Sequence, residues 1–223
     1  MSEATPLPHP VREPVLDVVD RVSEMLFGLF MALTFIGAIS VAEAGRVEVR
    51  TALFAALGCN LAWGLADAVM YVVRTLTARG KSLTLVRSVQ AAASPDAGRH
   101  LIEGSLAPTV RGLFSQAELE AIRGRIVALR DVPERPTLTR HDLVAALAVF
   151  LIVVAATFPV VLPFVIFEDI GTAKNVSRAV ALAMLFVGGM TLGRYAGYGS
   201  WKVGFGMAGL GAALVAAIIA LGG

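Results

Sequence analysis

Residues 51–73 read TALFAALGCNLAWGLADAVMYVV, an apolar run interrupted by one charge, Asp67. A bilayer core about 30 Å thick takes about 20 helical residues, so this run is long enough to span it. Outward from it, 25–42, 143–167 and 203–223 carry no charge at all. The interval 179–193 is shorter, but Arg178 and Arg194 at its ends snorkel along their alkyl stems and extend the helix to about 176–197. The expectation is an all-α integral membrane protein with five transmembrane helices. Composition agrees, since 57% of the 223 residues are hydrophobic and 16% charged, against about 25% charged in soluble domains. The single Cys59 excludes an intrachain disulfide and a structural zinc site built on two or more thiolates.

Five spans put the termini on opposite sides, and the basic residues assign the sides. Fifteen of the nineteen Lys and Arg then fall on one side, which becomes the cytoplasmic one, with the C-terminus outside. The chain divides into a cytoplasmic N-terminal tail (1–20), spans one and two (21–78), a cytoplasmic helical insert (79–140) and spans three to five (141–223). The tail is polar and Pro-rich, without the basic n-region and cleavage site of a signal peptide. Because the basic residues sort by membrane side rather than onto one folded surface, nucleic acid is not expected as a partner. The bilayer is.

The insert is too polar to span and too rich in Leu, Val and Ile to be an inert linker. Ser115 followed by Glu118 forms a capping box, and Leu119, Ile122, Ile126 and Leu129 recur at helical spacing behind it. That helix is expected to end before Pro133, and Thr139 with Asp142 to cap the third span in the same way. Such an insert is either a small helical bundle or a metal-sensing domain drawing on His100, Glu103, Glu118, Glu120 and Glu134.

An ionisable group in hydrocarbon costs several kcal/mol unless it is paired or faces a wet cavity. Asp67 lies seven residues before Arg74, about 10 Å along a helix. Asn60, Gly64, Asp67, Met70, Tyr71 and Arg74 share three- and four-residue spacing. Asp17, Asp20, Glu24, Gly28 and Met31 follow the same spacing into the first span. Carboxylates suit hard and borderline divalent cations and thioethers softer ones, so this mixture points to Fe(II) or Mn(II). Metal and protons would compete for the carboxylates, which couples their movements. The expected path is Glu24 at the cytoplasmic mouth, Asp67 in the middle, Met31 and Met70 as soft contacts, and Asn60 farther out. The alternative for Asp67 is an orienting ion pair with Arg74 or Arg194. No span carries a nucleophile beside a base, so an enzyme is not expected, nor is a resident cofactor. Pro159 and Pro163 kink the third span near its outer end, and Gly189, Gly193 and Gly197 form a face for close helix packing.

The layout resembles the vacuolar iron transporter family, as a divergent prokaryotic-type member. Glu24-Met-Leu-Phe27-Gly28 is similar to the opening of that family's first span, Phe158-Pro-Val-Val-Leu-Pro-Phe164 to its third, and Leu192-Gly-Arg-Tyr195 to its fourth. The resemblance implies a homodimer in a bacterial inner membrane that exports Fe(II), sometimes Mn(II), from the cytosol in exchange for protons, along a path between the two first spans. Where the family has an Asp-Gly pair, this chain has Met31-Ala32, which leaves the metal to Glu24 and Asp67. The alternative function is a non-transporting membrane protein with a structural or regulatory role through its insert.

Overall fold

The computed structural model describes residues 18–37 and 46–221. The rest of the expected tail, Asp17 of the acidic spacing and residues 38–42 of the expected first span lie outside these. Among the described residues the chain is helical, without strands: α1 (Val18–Gly37), α2 (Arg46–Gln90), α3 (Pro95–Ser105), α4 (Pro108–Arg111), α5 (Gln116–Val127), α6 (Arg140–Val161), α7 (Pro163–Ile166), α8 (Ile170–Ala196) and α9 (Ser200–Ala220). Four helical stretches, Val49–Gln90, Arg140–Ile166, Ile170–Ala196 and Ser200–Ala220, are long and apolar enough to cross a membrane. They mark an integral membrane protein. The twenty described residues of α1 include Asp20, Arg21 and Glu24, and α1 is not among the four.

The chain forms two compact units, Met1–Met70 with His141–Gly223, and Tyr71–Arg140. In the first, α1 is the buried helix despite its charged start. Leu26, Leu29, Leu33 and Ile36, at alternating spacings of three and four, are closed from solvent against Ala156 and Val160 of α6 and Ala181 and Leu185 of α8. Helix α9 packs on α8 through glycines. A Cβ on Gly189 would meet Val203 O and the Met207 side chain at 2.8 Å, and one on Gly204 would meet Met190 at 2.7 Å. With apolar tails on the outside, close packing of small residues is what holds such helices together. Trp201, Phe205, Leu210 and Ile219 of α9 are exposed, side chains a lipid tail would cover, with Trp201 and Phe205 beside Phe186 of α8.

One feature differs from the sequence expectation. Gly197 is not part of the packing face: it ends α8 at φ 73° with open space around its Cα, the left-handed stop glycine takes without strain. Of the two prolines of the third span, Pro159 lies inside α6. The span is interrupted at Leu162, where Pro163 opens α7 and brings no N–H to continue the ladder. The Val160 carbonyl beside the break accepts a hydrogen bond from Ser177 Oγ of α8.

In the second unit the end of α2 packs with α3 and α5 around Val89, Ile102 and Leu119. Carbonyls of the last turn of α5 and of the chain after it are taken by side chains of α2. Arg79 donates to Thr137 O at 2.6 Å, Arg87 to Pro133 O and Glu134 O at 2.6 Å, and Gln90 to Ile126 O and Leu129 O at 3.0 Å. The insert therefore begins as a continuation of α2 rather than as a separate helix after Arg79.

Candidate functional site

Three helices of the first unit approach closely enough to build a polar seam. A Cβ on Gly28 of α1 would lie 2.9 Å from Val153 O of α6, and one on Gly64 of α2 would lie 3.2 Å from Phe150 O of the same helix. A side chain at 28 would force its neighbour to shift, and one at 64 would need its neighbour to give by a few tenths of an ångström. Phe27 and Trp63 stack beside them, centroids 6.0 Å apart. The close approach carries Asn60 of α2 inward to 1% exposure, against Thr157 of α6 at 0%. Asn60 Nδ2 donates to the Gly28 carbonyl at 3.4 Å and to Thr157 Oγ1.

Two oxygens along this face of α2 are buried without a hydrogen-bond partner among the described residues: Asn60 Oδ1 and Asp67 Oδ2. A buried acceptor left unmade costs about 1–3 kcal/mol, and more if it is charged. At ~1.5 Å per residue the two positions are about 10 Å apart along the helix axis. Both are acceptors, so what would satisfy them is a proton, a donor or a cation.

The other residues expected on the path are arranged less simply. Glu24 and Met31 are half-buried on α1, Glu24 one turn from Gly28 and engaged with a partner. Met70 is 51% exposed and does not share the buried side of α2 with Asn60 and Gly64. At ~100° per residue it sits about 80° around the helix from Asn60, while Asp67 sits within about 20°. Arg74 is exposed and has a partner of its own.

Sequence reasoning passed over Thr157 and Ser177, both buried, and gave the buried Asp142 only a capping role. It had Arg178 snorkelling outward, whereas Arg178 buries Nε and Nη2 without a hydrogen-bond partner among the described residues. Lys174, counted only by membrane side, is 2% exposed and partnered.

The five residues considered for a metal site in the insert are not gathered. Glu118 closes the expected capping box, accepting from Ser115 N at 2.8 Å, and that bond lowers its pKa. Glu120 accepts from Arg123 and Arg99, at 2.5 and 2.9 Å, which hold its carboxyl at about 2. His100, 80% exposed at its side chain, has only Glu103 beside it, 3.8 Å away. No group of three His, Cys, Asp or Glu side chains comes together to hold a metal among the described residues.

No protein-family model matches the chain, and no curated protein matches it.

Proposed function

We propose that the chain is a five-span membrane transporter, with α1 as the fifth crossing helix, that exports a divalent metal, Fe(II) or Mn(II), from the cytosol in exchange for protons. The observation that carries this reading is the pair of buried oxygens without partners, Asn60 Oδ1 and Asp67 Oδ2, on one side of α2. A structural asparagine and aspartate in hydrocarbon would be expected to have their acceptors filled. Acceptors kept open along one helix face suit a cation that moves, and a carboxylate among them suits proton exchange. In this reading Glu24, one turn along α1 from Gly28, receives the ion at the cytoplasmic mouth. The resemblance to the vacuolar iron transporters supports the same chemistry, with a second copy of the chain as partner and the insert on the cytoplasmic side. With Met70 turned aside, the ligands offered by α2 are oxygens, which suit Mn(II) at least as well as Fe(II).

The test is uptake of Mn(II) and Fe(II) into proteoliposomes, with Mg(II) as comparator. Wild-type protein is expected to move one or both of the first two ions, and Asp67→Asn to abolish that movement while remaining folded. Unchanged uptake in Asp67→Asn removes Asp67 from the path. Absence of uptake by folded wild-type protein sends the function to the insert.

A further inference from the structure

The orientation of the Asn60 amide is fixed by its surroundings. The Gly28 carbonyl accepts only, so the amide nitrogen must face it, and the same nitrogen donates to Thr157 Oγ1. Both amide hydrogens are thereby used. The remaining atom, Oδ1, is left as an acceptor without partner on a side chain 1% exposed. An asparagine amide has two nearly isosteric orientations related by a half-turn about its last torsion, and only the hydrogen bonds around it choose between them. Without an acceptor at position 157, the choice would rest on the single 3.4 Å bond to Gly28.

We infer that Thr157 is a positioning residue: by holding the Asn60 amide together with the Gly28 carbonyl, it presents Oδ1 as a preset oxygen ligand to a partly dehydrated divalent cation on its way past Asp67. The inference rests on the transport reading above and adds to it an element of ion recognition. A cation that sheds water needs oxygens already turned toward it, and one amide oxygen fixed in place supplies such a ligand without a second charge. Thr157 itself need not touch the ion. Its hydroxyl acts through Asn60.

The test is the initial rate of Mn(II) uptake into proteoliposomes as a function of Mn(II) concentration, for wild type, Thr157→Val, Thr157→Ser and Asp67→Asn. Valine keeps the shape and removes the acceptor, whereas serine keeps the acceptor. Thr157→Val is expected to raise KM about tenfold with the maximal rate changed less than about twofold, the scale of one orienting hydrogen bond lost. Thr157→Ser is expected to restore a KM within about twofold of wild type. Thr157→Ala gives the same comparison if valine disturbs folding, as judged by the melting temperature of each purified variant. A wild-type KM in Thr157→Val, with Asp67→Asn inactive, overturns this inference alone. So does a KM that rises equally in Thr157→Ser, which would mean a packing role. No uptake by folded wild type, or full uptake by Asp67→Asn, overturns the transport reading and this inference with it.

Discussion

Gly28 and Gly64 set the distance at which three helices meet, and that distance decides whether Asn60 reaches Thr157. Gly28→Ala forces a methyl to within 2.9 Å of a backbone oxygen that belongs to another helix, so the helices must part. The expected cost is about 1–3 kcal/mol, seen as a lower melting temperature of the purified protein. Gly206→Ala, at a position with nothing within 4 Å, is the control and should leave the melting temperature unchanged or slightly higher. An unaltered melting temperature in Gly28→Ala would contradict the tight α1–α6 approach. At this scale Asn60 and Asp67 were legible because an amide or a charge stands out in an apolar run. Thr157 was not, since a threonine can bond its own helix one turn back and so raises no flag in an apolar sequence. Met70 joined the stripe only because three-residue steps slide around a helix whose period is 3.6.

The elements of the insert depend on local chemistry that the sequence states openly. Ser115→Ala removes the hydroxyl of the capping box, and a loss of about 1 kcal/mol is expected, measurable as faster amide exchange in the first turn of α5. Wild-type exchange in that turn would contradict the cap. The ion-pair cluster Arg99, Glu120 and Arg123 makes a pH prediction. Because the folded Glu120 carboxyl lies at about 2, below its ordinary 4.5, its contribution is complete above about 4.5 and is lost as pH falls toward 2. A carboxyl 13C titration of the intact protein should show a Glu120 midpoint near 2, moved up toward 4.5 in Arg123→Ala. A midpoint near 4.5 in wild type would mean that the arginines do not hold it. The cap of α5 could be read from Ser115 and Glu118 alone, but the length of α2 could not. Charges at Arg79 and Lys81 mark where an apolar run stops, and they do not stop a helix; Gly80 between them costs only about 1 kcal/mol relative to alanine. The four-residue spacing of Gly197 from Gly193 points to packing, whereas its left-handed φ is a property of the chain that turns after it.

For the whole molecule, the apolar intervals called for five spans, and four membrane-capable helices stand among the described residues. The burial of α1 was less visible. Its charges are confined to the first two turns, and the apolar remainder fills the middle of the first unit. Five crossings place the termini on opposite sides, so in intact cells an impermeant reagent should reach a tag at the C-terminus and not one at the N-terminus. Equal reactivity at both ends would mean an even number of spans and would exclude α1 as a crossing helix. The exposed apolar residues of α2 and α9 fit the bilayer in which these spans lie. The central claim is that the open oxygens of Asn60 and Asp67 carry a metal against protons. The most direct measurement is proton movement, read by a pH dye inside proteoliposomes, on addition of Mn(II) outside, with wild type beside Asp67→Asn. Wild type is predicted to drive protons outward as Mn(II) enters, and Asp67→Asn to drive none. Metal entry without proton movement in wild type, or the same proton movement in Asp67→Asn, would contradict it.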